Sequence, residues 1–327
     1  MHAMTETAEN ASKNGKIMSA LIERKVCPAC ESGKFSTLFK EKFSDKKVWK
    51  FIERKFKNPE NVRDLLADGN YELCKCRSCT LIFQRNILSD EYTSQLYDNW
   101  LIDEDAESEL SKEKLAPRQL AYFANEVLTI GRLMKRPHHE IKVLDYGLGR
   151  GWWCQIAQAF GFDAYGTDLA TRLVAQARDK GIKAIGVTEL NTQRFDFINT
   201  EQVFEHLARP LDVLRQLREI LGKTGVIKIS VPEGRGLEKR IPLMDWSAPR
   251  WDKRYLVAAT PLIHINTFTQ RSIAAMAKRA GLNALTVPIR HHYSLCDTSS
   301  LHTIGKSLVR PLYRRLIGSN YVFLQAS

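Results

Sequence analysis

The stretch Ile141-Lys-Val-Leu-Asp-Tyr-Gly-Leu-Gly-Arg-Gly151 decides the fold of this chain. β-prone apolar residues lead into an acidic residue, Asp145, and glycines then occupy three alternating positions. A helix-periodic stretch begins directly afterwards, at Trp152. This order predicts a strand, a glycine-rich loop and a helix, an arrangement in which bare backbone can approach a nucleotide-type ligand. Turns also collect glycine, so a loop without a ligand is the alternative interpretation.

A second acidic residue, Asp168, strengthens the prediction of a ligand site. It ends a short strand over residues 164–167, at the separation of about 20 residues that nucleotide-binding folds use. A carboxylate at this position receives ribose hydroxyls in such folds. The glycine spacing argues against a dinucleotide, because the third glycine comes one residue early and Trp152 stands where a dinucleotide fold has glycine.

The pattern of Asp145, three glycines and Asp168 resembles the S-adenosylmethionine (SAM) loop of class I methyltransferases. The resemblance implies that the glycines approach the methionine part of SAM and that Asp145 contacts its amino group, directly or through water. It further implies that Asp168 receives the ribose hydroxyls. Three more residues would flank the adenine, and Asn199 would line the sulfonium pocket. The full set of implied cofactor-binding residues is Asp145, Gly147, Gly149, Gly151, Asp168, Leu169, Thr188, Glu189 and Asn199.

Strands and helices alternate after the glycine loop. The periodicity predicts a helix from Thr171 closed by Gly181, strands over 182–187 and 195–198, a leucine-striped helix up to Leu221, a strand over 226–231, a helix over 270–280 and a closing strand over 321–324. This alternation predicts an α/β fold with a doubly wound, Rossmann-like sheet. Over residues 141–290 the order resembles the ubiquinone-biosynthesis-like branch of the methyltransferases, including its Glu-His pair after the fourth strand.

That Glu-His pair supplies the candidate catalytic residues. His206 is the first candidate for a general base, because histidine titrates near neutral pH. Its neighbour Glu205 is a second candidate, although adjacent residues of a helix point to different faces, which predicts that only one of them lines the cleft. The alternative is that Glu205 merely complements a helix N-terminus. His264 is a further candidate for the acceptor site.

Two C-x₂-C motifs near the N-terminus form a second informative pattern. Cys27 and Cys30 make the first, and Cys76 and Cys79 make the second, so the two together can complete a tetrahedral Zn²⁺ shell. The 45 residues between them, 31–75, are longer than the usual ribbon spacing and predict a small hairpin or helix. Cys74 is a fifth candidate that could replace Cys76. Disulfides and free thiols are the alternatives to zinc.

The second C-x₂-C motif and the residues after it resemble the zinc module that precedes certain methyltransferases, including some nucleotide-sugar C-methyltransferases. A site of four thiolates leaves no open coordination position, so the predicted role of the metal is structural. Residues 1–16 are polar and lack the apolar core of a signal peptide, which argues against an oxidising compartment and for a cytoplasmic location.

The chain has 327 residues, of which 44% are hydrophobic, so two parts with buried cores are expected. We predict a disordered tail over 1–16, a cysteine module over 17–85, a helical connector over 86–140 and a SAM-binding domain over 141–327. No apolar stretch approaches the length of a membrane span.

Positive charge is concentrated in the second part of the chain. Residues 141–327 carry 26 Lys and Arg against 15 Asp and Glu, and the segment after Asp297 has four basic residues and no acidic ones. Leucines interleave with these basic residues, so the segment is either a basic amphipathic helix at a membrane surface or a helix packed on the sheet. This charge favours anionic acceptors such as nucleotide-sugars or glycolipids.

The sequence therefore predicts a SAM-dependent methyltransferase acting on an oxygen or carbon of a small-molecule, sugar or glycolipid acceptor. An RNA methyltransferase is the first alternative. Two patterns count against nucleic acid: Asn199-Thr-Glu-Gln202 replaces the Asn-Pro-Pro-aromatic motif of enzymes that methylate base amines, and the chain has no Pro-Cys pair for attack on a pyrimidine. The second alternative is a non-catalytic, zinc-dependent adaptor on a methyltransferase fold.

Overall fold

The computed structural model of the chain describes residues 20–102, 116–232, 234–249, 252–292, 300–317 and 321–326. The predicted disordered tail over 1–16 therefore lies outside the described residues. No helix in these ranges is both long and apolar enough to cross a membrane.

The larger part of the structure is a seven-stranded sheet with helices on both faces. Its elements are α4 (Pro117–Met134), β6 (Lys142–Tyr146), α5 (Trp152–Ala159), β7 (Asp163–Thr167), α6 (Thr171–Asp179), β8 (Lys183–Ala184), β9 (Phe195–Glu201), α7 (Pro210–Glu219), β10 (Leu221–Ser230), α9 (Gln270–Arg279), β12 (Leu282–Leu285), α10 (Leu301–Ile317) and β13 (Tyr321–Ala326). The predicted doubly wound α/β sheet is confirmed.

The strand order is β12-β13-β10-β9-β6-β7-β8, with β6 to β10 parallel and β13 antiparallel to both of its neighbours. Apolar residues of α4, α5 and α6 pack on one face, and those of α7 and α9 pack on the other. Strands β6 to β8 are added toward one edge of the sheet and β9 and β10 toward the other, so the strand order reverses between β6 and β9, whose carboxyl ends therefore border a crevice.

The predicted third strand is shorter than expected. The sequence predicts a strand over 182–187, whereas β8 ends at Ala184 and a 3₁₀ helix runs over Val187–Thr192. The reason is local, because the Glu189 carboxylate accepts the backbone N–H of Gly186 at 2.6 Å and starts the 3₁₀ turn early. The predicted helix ends are confirmed at Gly181 and Gly281, whose φ angles are +77° and +71°.

The N-terminal part is built around a four-stranded antiparallel sheet in the order β11-β4-β3-β2. Its elements are β1 (Leu21–Glu23), β2 (Phe35–Lys42), α1 (Lys46–Lys55), α2 (Glu60–Leu66), β3 (Asn70–Cys76), β4 (Ile82–Gln84), β5 (Asn86–Leu88), α3 (Asp90–Gln95) and, from far along the chain, β11 (Asn266–Thr267); α8 (Leu237–Arg240) precedes β11. One strand, two helices and most of β3 occupy the predicted 31–75 insertion. Because β11 pairs with β4, the N-terminal sheet includes a strand contributed by the second part of the chain.

Helix α10 leaves a row of apolar side chains in solvent. Leu301, Leu308, Val309 and Leu312 are 89%, 49%, 62% and 49% exposed, whereas Pro311 is buried toward the sheet. Two of the interleaved leucines, Leu308 and Leu312, are thus half exposed, because the buried side of α10 at Pro311 lies beside them.

Candidate active site and cysteine cluster

The glycine loop follows β6 at the carboxyl edge of the sheet. Gly147 and Gly149 have φ angles of +88° and +51°, in the left-handed region that other residues rarely adopt. A Cβ atom at Gly147 would lie 2.5 Å from Cγ2 of Val203, so this glycine also permits close packing on the segment after β9. A Cβ atom at Gly149 would meet nothing within 4 Å, so this backbone faces open space in which a ligand can approach it.

Asp168 lies directly beside that loop. Its Oδ2 accepts the backbone N–H of Gly149 at 3.1 Å, and its Oδ1 accepts that of Ala170 at 3.0 Å. Each carboxylate oxygen keeps a second lone pair for a ribose hydroxyl. The next residue, Leu169, is 70% exposed, which leaves an apolar side chain available to cover an aromatic base.

The two residues proposed for the adenine edge lie at the end of β8. Thr188 and Glu189 are both exposed within the 3₁₀ helix over Val187–Thr192. Glu189 is engaged locally, since it accepts from Gly186 and pairs with Arg178 at 3.5 Å. Its present partners therefore stabilise the turn itself.

Asp145 and Asn199 are neighbours across the crevice strands. They occupy paired positions of β6 and β9, and Nδ2 of Asn199 donates to Oδ1 of Asp145 at 2.8 Å. Both side chains are buried, and this burial raises the pKa of Asp145 to about 7. Asn199 also borders a cavity of about 130 Å³ between α4, α10 and the sheet.

The Glu-His pair does not belong to a helix, contrary to the expectation from sequence. Glu205 and His206 lie in a 3₁₀ turn over Phe204–His206, and the helix begins only at Pro210. Arg209 precedes that proline, and its backbone at φ −128° and ψ 68° is not helical, which delays the helix. The tight turn places Oε1 of Glu205 3.9 Å from Nε2 of His206. The two side chains therefore lie on the same side of the turn, and the expectation that only one of them can line the cleft does not apply.

Burial shifts the pKa values of Glu205 and His206 in opposite directions. Glu205 is completely buried, and neither of its carboxylate oxygens has a hydrogen-bond partner among the described residues. Burial raises the pKa of Glu205 to about 8. Burial and the neighbouring His264 lower the pKa of His206 to about 3. At neutral pH the proton therefore resides on Glu205 and the imidazole is neutral, the reverse of the usual order.

His264 joins this cluster from a distant part of the chain. Its ring lies 4.8 Å from the ring of His206, and the nearest ligand atoms of Glu205, His206 and His264 all lie within 4.8 Å of one another. Nδ1 of His264 contacts the carbonyl of Val257, and burial lowers the pKa of the ring. The structure thus brings all three predicted catalytic residues together.

Sequence reasoning missed Tyr97 at this cluster. Its hydroxyl lies 2.9 Å from Nδ1 of His206, which also lies 3.0 Å from the carbonyl oxygen of Ile263. Tyr97 belongs to a π-helical turn over Leu96–Trp100. The residues after the second C-x₂-C motif include this tyrosine but give it no catalytic role, whereas a π-helical turn is itself a frequent feature of functional sites.

The four predicted zinc ligands also come together. The sulfur atoms of Cys27, Cys30, Cys76 and Cys79 all lie within 4.8 Å of one another, and all four side chains are buried. The pairs Cys27–Cys79 and Cys30–Cys76 are each separated by 3.5 Å. This is close to the sulfur separation of about 3.8 Å that four Zn–S bonds of 2.3 Å give in a tetrahedron, and far from a disulfide bond.

The two C-x₂-C turns have the same hydrogen bonds. The carbonyls of Cys27 and Cys76 each accept the N–H of the residue four positions on, at 2.8 and 3.0 Å. Their own N–H groups each donate to the carbonyl five positions on, at 2.9 Å in both turns. Glu31 and Thr80, which follow each motif, both have positive φ. Two matched turns that bring four sulfur atoms together are a geometry that fits one metal ion.

Cys74 lies outside this cluster. Its sulfur is near the Thr37 hydroxyl at 3.9 Å and the Glu72 carboxylate at 3.7 Å. The described cysteines form no disulfide. The pKa of Cys79 is lowered to about 6 by the hydrogen bond from the Cys27 thiol, which favours the thiolate form that binds metals.

Buried hydrogen bonds connect the strand after the second C-x₂-C motif to the segment that contributes His264 to the cluster with Glu205 and His206. The Gln84 side chain, in β4 just after the second motif, donates to the carbonyls of Thr260 and His264 at 2.8 and 3.0 Å and accepts the N–H of Leu262. Arg24 makes further bonds, including one of 2.9 Å to the side chain of Asn266. The N-terminal sheet therefore positions the segment that carries His264.

A family model described as "Methyltransferase domain" matches residues 116–287. No curated protein sequence matches the chain. Among solved structures, the plantazolicin methyltransferase BpumL in complex with SAH is similar at 16% identity over 72% of this chain and 93% of that chain, with a TM-score of 0.44. An S-adenosylmethionine-dependent methyltransferase from Mesorhizobium loti is similar at 17% identity over 59% of this chain and 94% of that chain, with a TM-score of 0.38.

Proposed function

We propose, because the chain belongs to the methyltransferase-domain family, that it transfers the methyl group of SAM to an oxygen or carbon of an anionic, sugar-bearing small molecule or glycolipid. The observation that carries the proposal is the loop beside Asp168: Gly149 holds a positive φ and faces open space at the crevice between β6 and β9. A loop that served only as a turn would have no need of a neighbouring carboxylate and an exposed apolar side chain.

SAM supplies an electrophilic methyl group on a sulfonium, and the protein supplies its orientation. In the proposal the glycine loop cradles the methionine part and Asp145 accepts its ammonium. Asp168 accepts the ribose hydroxyls, and Leu169 covers the adenine. Asn199 would line the sulfonium pocket, and its amide holds the carboxylate of Asp145 in place.

The acceptor must lose a proton as it attacks the methyl carbon. We assign this step to Nε2 of His206, whose ring is neutral and whose Nδ1 can donate to the Ile263 carbonyl. The acceptor O–H or C–H bond would break and its proton would move to Nε2, while its electron pair would form the bond to the methyl carbon and the pair of the S–CH₃ bond would remain on the sulfur of the departing S-adenosylhomocysteine. The imidazolium is stabilised only when Glu205 is ionised, so the pair works as a unit.

The cysteine cluster fits a structural Zn²⁺, which would be held by Cys27, Cys30, Cys76 and Cys79. Four buried sulfur atoms with tetrahedral spacing leave no position for a substrate. The proposed role is to hold the N-terminal sheet, and through Gln84 the His264 segment, in place. Reduced thiols suit a cytoplasmic location.

The class of acceptor is proposed from charge and exposure. The excess of basic residues in 141–327 favours phosphate-bearing acceptors, and the exposed apolar row of α10 favours those found at a membrane. RNA is the runner-up, since the same charge also attracts nucleic acid.

The test is transfer of radiolabelled methyl groups from SAM into fractionated extracts of the source cells. Label in the saccharide or lipid fraction supports the proposal, and label in RNA supports the runner-up. Absence of label, together with absence of S-adenosylhomocysteine (SAH) binding, identifies an adaptor. Asp168→Ala should abolish transfer, whereas Asp179→Ala, an exposed residue at the end of α6, is the matched control.

A further inference from the structure

A lysine is buried in the middle of the large sheet. The Lys228 side chain, in β10, is 3% exposed. Its ammonium contacts the carboxylate of Glu126 and donates to Oε2 of Glu201 at 2.6 Å and to Oδ1 of Asn199 at 3.3 Å. A buried charge is retained only where partners offset its loss of hydration. Lys228 is not among the residues that resemble the methyltransferase motifs, and it lies outside the cluster of Glu205, His206 and His264.

Lys228 stands in one row with Asn199 and Asp145. The strand register pairs Asp145 with Asn199 and Asn199 with Lys228, so the three side chains lie side by side on one face of the sheet. An ammonium can only donate, and it therefore selects the oxygen of the Asn199 amide. The Nδ2 end is thereby turned toward Asp145, to which it donates at 2.8 Å. The lysine thus sets the orientation of the amide that holds the carboxylate.

The charge on Asp145 depends on the same neighbours. Burial raises the pKa of this carboxyl to about 7, Lys228 lowers it, and Glu126 and Glu201 raise it. Burial alone would lower the pKa of Lys228, but the carboxylates of Glu126 and Glu201 raise it well above its usual range. The other titratable groups nearby are Tyr122 on α4, whose hydroxyl donates to Glu201, and Cys154 on α5. Lys228 is the cation of this group.

We infer that Lys228 is a positioning residue for cofactor binding, which orients the Asn199 amide and keeps Asp145 ionised to accept the ammonium of the cofactor's methionine part. The inference rests on the proposed function. Without the lysine, two further carboxylates face Asp145 with no cation, and Asp145 takes up a proton at a higher pH. Binding of an ammonium-bearing ligand then weakens most where Asp145 becomes neutral.

The test is calorimetric titration of SAH into the full-length protein between pH 6 and pH 8.5. We expect Lys228→Met to weaken SAH binding at pH 7 by about fivefold, the effect of a rise of about one unit in the pKa of Asp145 from about 7, and by less than about threefold at pH 8.5. Lys223→Met, an exposed lysine of the same strand, should leave the binding curve unchanged at each pH.

The double variant Lys228→Met/Glu126→Gln removes the buried ion pair as a unit and keeps the test valid if the single variant folds poorly. It should show a smaller upward shift in the pH midpoint of SAH binding, because Glu126, which raises the pKa of Asp145, is removed together with the lysine. An unchanged midpoint in folded protein overturns the inference, even if affinity falls equally at every pH, because that result indicates a purely structural lysine. Failure of the unaltered protein to bind SAH instead overturns the proposed function.

Discussion

The side-chain amide of Gln84 donates to the main-chain carbonyl of His264 at 3.0 Å. This hydrogen bond joins the turn of Cys76 and Cys79 to the cluster formed by Glu205, His206 and His264. Gln84 is completely buried and lies five residues after Cys79 along β4. The segment that carries His264 is therefore hydrogen-bonded to the strand that directly follows the cysteine cluster. A structural metal in that cluster would affect catalysis indirectly, because it would hold the His264 segment in place without taking part in the reaction.

Removal of the metal should therefore reduce both stability and activity. We expect purified protein to contain about one Zn²⁺ per chain, and Cys76→Ser to lose it with a fall in unfolding free energy of about 4 kcal/mol or more, as for other lost metal sites. Cys74→Ser is the matched control, since its sulfur lies outside the cluster and its loss should leave the metal content intact. Elemental analysis and thermal unfolding check both variants. Unaltered zinc content in Cys76→Ser would contradict the ligand assignment.

Gly149→Ala should weaken cofactor binding more than it weakens the fold. The φ of +51° strains any side chain, which costs about 1 kcal/mol, and the added methyl group projects into the space proposed for the ligand. We expect SAH binding to weaken by at least tenfold, equivalent to about 1.4 kcal/mol. Gly305→Ala in α10 has open space around its Cβ without positive φ and should bind SAH as the unaltered protein does. Equal binding by both variants would place the ligand elsewhere.

Methyl transfer should rise with pH through about 8. The pKa of Glu205 is raised to about 8, and ionised Glu205 is required for His206 to hold the transferred proton. In Glu205→Gln the rate should fall and this pH-dependent rise should disappear. Single-turnover rates between pH 6 and pH 9.5 check the prediction. A profile that keeps its midpoint near 8 in the glutamine variant would assign the titration to another group.

The same carboxyl should make stability depend on pH. Its pKa is raised in the folded state, so its stabilising protonation is complete below the ordinary value of about 4.5 and is lost as pH rises through about 8. The unaltered protein should therefore lose unfolding free energy between pH 4.5 and pH 8 relative to Glu205→Gln. Denaturant unfolding at pH 5 and pH 8 measures this difference. Parallel pH dependence in the two proteins would show that the carboxyl is not desolvated.

Helix α10 should bring the protein to anionic membranes. Leu308 and Leu312 lie one helical turn apart, each half exposed, on a helix without acidic residues. Vesicles containing phosphatidylglycerol should bind the protein. The double variant Leu308→Gln/Leu312→Gln should reduce that binding about tenfold, which corresponds to about 1.4 kcal/mol. Two leucine side chains that become buried in the membrane contribute more than this. Leu243→Gln, an equally exposed leucine far along the chain, is the control. Binding to neutral vesicles alone would remove the charge argument.

Much of the fold and of the cofactor site could be predicted because the signals are local. The sequence 141–151 needs only its own order of apolar, acidic and glycine residues to form a strand and a tight loop, and Asp168 ends the next strand along. The C-x₂-C spacing likewise defines a turn in itself. Such patterns act within a few residues, so one sequence suffices to read them.

The protonation states, the choice of Cys76 over Cys74 and the role of Lys228 depend on tertiary structure. The Glu205 carboxyl is protonated at neutral pH because burial removes water from both of its oxygens. The segment that buries it is a 3₁₀ turn, whereas the sequence predicts a helix. Lys228 meets Asn199 only through strand pairing, and Gln84 meets His264 across 180 residues of sequence. The local chain determined which strands and turns form; desolvation and register, which exist only after packing, decided the charge and contacts of the side chains between them.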